Sequence, residues 1–110
     1  MTATISRHEL QKLIDTDAVT VVDALGGSYY ERAHLPGAVP LVEADLAVQA
    51  GAVLPDKTAA IVTYCSNTAC ANSGRVAAGL EKLGYTNVRK YAEGIQDWTE
   101  AGLPVEGSGV

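Results

Sequence analysis

The chain has 110 residues, of which 47% are apolar, with no Phe, one Trp and a formal net charge of −5. A domain of this length buries roughly two-thirds of the surface its unfolded chain exposes, so residues 1–110 are expected to form a single domain around one core of Val, Leu, Ile and Ala. The negative charge opposes nucleic acid, whose binding relies on Lys and Arg. No stretch approaches the ~20 apolar residues of a membrane span, and the N-terminus has neither the basic start nor the apolar run of a secretory signal. Neither nucleic acid nor membrane is therefore expected as a partner, and the expected address is cytoplasmic.

Ser6 and Glu9 have the spacing of a capping box, in which each side chain satisfies a free backbone N–H at a helix start. A helix from about Arg7 to Ile14 follows, with Leu10, Leu13 and Ile14 on one face. After the turn Asp15-Thr16-Asp17, the β-branched run Val19 to Val22 reads as a strand buried on both faces. Gly26-Gly27-Ser28 breaks it, Tyr29 to Ala33 can form a short helical turn, and Pro36-Gly37 ends that turn.

Glu43 to Ala50 reads as a short helix, and a second buried strand, Ala59 to Tyr64, runs directly into Cys65. From about Ser73 to Leu83, the apolar residues Val76, Leu80 and Leu83 recur at helical spacing, and Gly84 stands at the C-cap. Asn87 to Tyr91 makes another strand. Ile95 and Trp98 lie one turn apart on a last helix that stops near Gly102 and Pro104, and Gly107 to Val110 is expected to fray. Strands alternating with helices predict an α/β fold with a parallel sheet covered on both faces.

In such folds the reactive crevice lies beyond the carboxyl ends of the strands, and Cys65 closes a strand there. The loop after it, Ser66-Asn67-Thr68-Ala69-Cys70-Ala71-Asn72, is made of small residues that let the backbone curl around the sulfur. Inward N–H groups and the start of the next helix would lower the Cys65 pKa and hold an anionic group bonded to it. Cys65 is thus the candidate nucleophile, with Ser66 to Asn72 as substrate-binding backbone. Arg75, the nearest cation in sequence, is a candidate contact for an anionic donor. Asp23 at a strand end and His34 before Pro-Gly fit structural support of their loops better than chemistry. His8 reads as a solvated residue, and Tyr64 and Trp98 as core or pocket walls. Cys65, Cys70, His8 and His34 lack zinc-site spacing, so neither a metal nor a cofactor is expected.

Three segments in order carry a family likeness: Val21-Val22-Asp23 with Tyr30 and Ala33-His34-Leu35-Pro36-Gly37-Ala38, then Val62-Thr63-Tyr64-Cys65, then Glu93-Gly94-Ile95-Gln96-Asp97-Trp98 with Gly102-Leu103-Pro104. With these the chain resembles the rhodanese-like family over nearly its whole length. The resemblance implies a five-stranded parallel sheet flanked by helices on both faces. It also implies sulfur transfer, in which Cys65 carries a sulfane sulfur as a persulfide from a donor, such as thiosulfate or a protein persulfide, to a thiophilic acceptor. The chain departs from the family in three places. Leu25 stands where many members have Arg, the loop is about two residues longer than usual, and it holds neither Arg nor Lys.

Three other readings compete with sulfur transfer. A phosphatase or arsenate reductase would need an oxyanion-binding Arg and a general acid, which the loop does not clearly supply. A thiol-disulfide or persulfide-reducing protein would use Cys65 with Cys70 as resolving thiol. A rhodanese-like binding module would keep the fold with negligible turnover.

Overall fold

The computed structural model describes residues 2–108. Five strands, β1 (Ala3–Thr4), β2 (Thr20–Asp23), β3 (Val39–Pro40), β4 (Ile61–Tyr64) and β5 (Val88–Tyr91), form one sheet in the order β1-β5-β4-β2-β3. Every pairing is parallel, with Asp23 opposite Tyr64 and Tyr64 opposite Tyr91 at the carboxyl edge. Four α-helices lie between successive strands, α1 (Arg7–Asp15), α2 (Gly27–Arg32), α3 (Leu46–Val53) and α4 (Asn72–Lys82), and a fifth, α5 (Gly94–Glu100), follows β5.

Strand alternation divides the core in two. Val22, Ile61, Cys65 and Val88 face Leu46, Ala50, Val76, Ala77 and Leu80 of α3 and α4. Val21, Val62, Tyr64 and Tyr91 face Leu10 of α1 and Trp98 of α5. Because successive side chains point to opposite faces, Tyr64 and Cys65 leave β4 in opposite directions.

Several sequence expectations shift here. At the α1 start, the Ser6 hydroxyl accepts the Glu9 N–H at 3.2 Å, but the Glu9 carboxylate meets that hydroxyl rather than the Ser6 N–H. The helix expected over Glu43 to Ala50 is a 3₁₀ turn, Glu43–Asp45, followed by α3. That helix runs past Gly51 because Leu46 and Ala50 are buried one turn apart, and Pro55 lies just beyond its end. β1 and β3 are two-residue edge strands that residue patterns did not predict. β1 is fully exposed, and β3 contains Pro40, which an edge strand tolerates. Near the C-terminus, Ser108 donates its backbone N–H (2.8 Å) and its hydroxyl (3.1 Å) to the Glu31 carbonyl, so the expected fraying does not hold for Gly107 and Ser108. Gly109 and Val110 lie outside the described residues. Among those residues, no helix is long and apolar enough to cross a membrane.

A buried polar cluster ties the carboxyl edge together. Asp23 is fully buried; one carboxyl oxygen accepts the Leu25 and Gly26 N–H groups at 2.8 and 3.1 Å, and the other accepts the Tyr64 hydroxyl at 2.6 Å. That hydroxyl also accepts the Leu35 N–H at 3.1 Å. Burial, then the neighbouring Asp23 carboxyl, push the Tyr64 pKa far above its ordinary value, so it stays a donor. Tyr64→Phe would leave the Leu35 N–H and one Asp23 oxygen short of a partner. We expect a loss of about 2 kcal/mol or more, from a cost of about 1–3 kcal/mol per unsatisfied buried group, read by urea denaturation. A loss under about 0.5 kcal/mol would mean that the hydroxyl does not hold this corner.

Candidate functional site

Cys65 follows β4 directly, and its residue is 1% exposed. Its Sγ lies 3.4 Å from the Cys70 carbonyl oxygen and 3.4 Å from the Ser73 hydroxyl, and the two cysteines are free. Buried Ser73 is positioned by the Thr63 hydroxyl, which donates to its carbonyl at 2.9 Å and so fastens the first turn of α4 to β4.

The loop is held on its other side by α5. The Ile95 and Gln96 N–H groups donate to the Cys65 and Ser66 carbonyls at 2.9 and 3.0 Å. This approach requires Gly94, whose φ is +71°; a Cβ there would collide with the Cys65 carbonyl and lie 2.7 Å from that of Ser66. Gly94→Ala should therefore cost roughly 2–3 kcal/mol, from a strained φ plus displacement of the loop, and should lower Tm by about 10 °C. An unchanged melting curve would refute this account.

The loop amides do not all serve Cys65. The Ala69 N–H bonds to the Asn67 side-chain oxygen at 3.0 Å and the Cys70 N–H to the Asn67 carbonyl at 3.1 Å, while the Asn67 amide donates to Gln96 at 2.9 Å. Burial, and the hydrogen bond between the two thiols, push the Cys65 pKa up; the Ser73 hydroxyl and amide oppose this without reversing it. The expectation of a lowered Cys65 pKa is therefore corrected. Burial also disfavours the Cys70 thiolate, but the Cys65 thiol, the Asn72 and Ser66 amides and the Ser66 hydroxyl hydrogen-bond to its sulfur and bring its pKa below the ordinary value. The amide cradle thus favours charge on Cys70. With limiting iodoacetamide, Cys70 should be alkylated ahead of Cys65, and its rate-pH midpoint should lie below the free value of ~8.5. Peptide mapping across pH checks this, and faster labelling of Cys65 would reverse the assignment.

The remaining sequence candidates are dispersed. Ser66 and Asn67 are half-buried, Thr68 and Ala69 form the exposed tip, and Ala71 and Asn72 lead into α4. Arg75 is exposed, and helical spacing turns it away from the buried face of Ser73, Val76, Ala77 and Leu80; the structure does not bring it to the sulfur. Asp23 lies in the hydrogen-bonded corner described above. His34 stacks on the Tyr30 ring at 4.0 Å, and its Nδ1 donates to the Tyr30 carbonyl at 2.7 Å. Its backbone pairs with Glu106.

Two hollows flank the loop. A cavity of about 350 Å³ is walled by Leu25, Tyr29, Arg32, Ser66 and Ile95, among others. On the other side, a cleft of about 430 Å³ carries Glu93, Asp97 and Glu100 beside the loop tip. Arg32, which sequence reasoning did not single out, lines the first cavity with Ser66; it lies far from Cys65 along the chain and is brought near Ser66 by the pairing of β2 with β4. Among the described residues, no group of three or more His, Cys, Asp or Glu is placed to hold a metal ion.

A parallel α/β sheet with a cysteine at the carboxyl end of its central strand, inside a loop braced by two helices, defines a class of thiol-bearing strand-end sites. The family model for the rhodanese-like domain matches residues 6–101, and the chain belongs to that family. It is 33% identical over 107 residues to the HTH-type transcriptional regulator Rv0324 of Mycobacterium tuberculosis, a match that covers 93% of this chain but 44% of that regulator. The solution structure of the rhodanese-like domain of the Anabaena Alr3790 protein superposes with a TM-score of 0.84 at 24% identity, covering 99% of this chain and 82% of that one. A Pseudomonas aeruginosa thiosulfate sulfurtransferase has the same fold, with a TM-score of 0.77 and 22% identity over 96% of this chain and 20% of the larger one.

Proposed function

We propose that the chain is a sulfurtransferase that carries a sulfane sulfur as a persulfide on Cys65. The observation that carries this reading is the Cys65 thiol at the end of β4, 3.4 Å from the Ser73 hydroxyl and enclosed by a loop whose carbonyls α5 holds in place. In the first step the Cys65 proton passes to the neighbouring Cys70 in its thiolate form, which the lowered Cys70 pKa favours. The Cys65 thiolate then attacks the outer sulfur of thiosulfate, the S–S bond breaks, and sulfite leaves with the electron pair. An acceptor, which is a thiophilic nucleophile, next attacks the outer sulfur of the persulfide and expels Cys65 as thiolate. A persulfide-bearing protein or small persulfide can donate by the same displacement.

Arg32 favours approach of an anionic donor from the Leu25 side, because the acidic cleft on the other side repels it. Steady-state transfer from thiosulfate to cyanide tests this. Arg32→Ala should raise the KM for thiosulfate roughly two- to five-fold with little change in kcat, the effect of losing an exposed charge contact of about 0.4–1 kcal/mol. Cys65→Ser should abolish both turnover and the gain of one sulfur atom in intact mass. Sulfur uptake undiminished in Cys65→Ser would overturn the assignment. Phosphate released from a phosphate ester in a parallel assay would favour a phosphatase instead.

The likeness to a transcriptional regulator supports a second reading, in which loading of Cys65 is a signal and turnover is negligible. Stoichiometric loading without transfer to cyanide would favour that binding-module role.

A further inference from the structure

We infer that Cys70 is a resolving thiol that removes the sulfane sulfur from Cys65 as hydrosulfide and closes a Cys65–Cys70 disulfide. This rests on the reading of Cys65 as the sulfur carrier and adds a second outcome for the bound sulfur. Four observations carry it. Cys65 Sγ is 3.4 Å from the Cys70 carbonyl oxygen, which by standard backbone dimensions puts the Cys70 Cα within about 6 Å of that sulfur. Both thiols are free. Both pack against the same apolar cluster under α4, with Cys65 the more enclosed and Cys70 only partly buried. The turn that presents Cys70 is braced by Asn67 through the Ala69 and Cys70 N–H groups and tied to α5 by the bond from Asn67 to Gln96, so Cys70 is held beside Cys65.

Charge distribution favours the same direction of attack. The Ser66 and Asn72 amides stabilise a thiolate on Cys70, which is the form that attacks a disulfide or persulfide sulfur. Partial exposure lets Cys70 return to water the proton it takes from Cys65. When Cys65 carries a persulfide, the Cys70 thiolate attacks the inner sulfur. A bond forms between the two Sγ atoms, the bond from Cys65 to the outer sulfur breaks, and that sulfur leaves with the electron pair as hydrosulfide. The sulfane sulfur is reduced, and the two cysteine sulfurs are oxidised to a disulfide. Two molecules of a low-molecular-weight thiol then reopen the disulfide, becoming a small disulfide themselves. The pair thus converts a sulfane donor and small thiols into hydrosulfide.

The test has two arms. In the first, the native chain and Cys70→Ser are treated with dithiodipyridine, which reports disulfide closure without any sulfur donor. The native chain should release two equivalents of thiopyridone and become two hydrogens lighter, whereas Cys70→Ser should release one and keep the adduct. A stable adduct on the native chain would overturn the resolving role and leave the sulfurtransferase reading untouched. In the second arm, Cys70→Ser, which lacks the base beside Cys65 and so loads more slowly, is kept with thiosulfate or a low-molecular-weight persulfide until it has gained one sulfur, the native chain is treated for the same time, and both are freed of donor and followed by intact mass, peptide mapping and sulfide assay. The persulfide should last at least about ten-fold longer in Cys70→Ser, while the native chain releases sulfide and yields a Cys65–Cys70 disulfide. Equal persulfide lifetimes would overturn the inference alone. Absence of added sulfur from both proteins, with disulfide closure intact in the first arm, would overturn the carrier reading and the sulfide-releasing step together. Cys70→Ala serves as second variant, and the products of the native chain decide the matter even where a variant fails to fold.

Discussion

The carboxyl edge of the sheet depends on the hydrogen bond between the Tyr64 hydroxyl and the buried Asp23 carboxyl. That carboxyl also fixes the Leu25-Gly26 turn, while the Tyr64 hydroxyl holds the Leu35 N–H, so one polar cluster registers β2 against β4 and anchors the chain on its way to β3. In a water-poor interior such a cluster is strong when every member is paired and costly when one is lost. Strand alternation then does the rest: with Tyr64 committed to the α1 and α5 face, Cys65 must emerge toward α4. The position of the sulfur is a consequence of where the tyrosine is tied.

The two sulfurs occupy unequal environments. Cys65 is enclosed and offers its thiol to a carbonyl, an arrangement that favours the protonated form, whereas Cys70 sits at the partly exposed edge, where its pKa falls below the ordinary value. A buried thiol is protected from casual alkylation and oxidation, yet it needs a base to become a nucleophile. In the proposed sulfur transfer the Cys70 thiolate would supply that base without any cationic side chain in the loop. This distinguishes the site from one that lowers the thiol pKa by direct charge.

Much of this was legible in the residues because the relevant signals are local. Val76 and Leu80 marked the buried face of α4, the apolar run into Tyr64 marked a central strand, and the small residues after Cys65 marked a tight loop. The features that escaped were either marginal or long-range. β1 and β3 are two residues each and take their strand character from pairing with a neighbour, not from any pattern of their own. The Cys65 pKa ran opposite to expectation because loop composition says that amides are available but not where they point. Asn67 captures those of Ala69 and Cys70, and the Cys70 carbonyl faces the sulfur. Arg75 was close in sequence and faces away, whereas Arg32 was distant and lines the cavity, since helix rotation and strand pairing decide both.

The two flanks of the loop make the site directional. A chain with net charge −5 repels anions at a distance, and Glu93 and Glu100 reinforce that repulsion beside the loop tip, where Asp97 is paired with Arg7 at 3.0 Å. Leu25, Ile95 and the aromatic ring of Tyr29 make the opposite wall largely apolar, with Arg32 as the cation there. An anion that comes to such a wall gives up part of its hydration to apolar side chains, and Arg32 is the charge that offsets the loss, so a donor in the proposed sulfur transfer would be selected on this side by desolvation as well as by attraction.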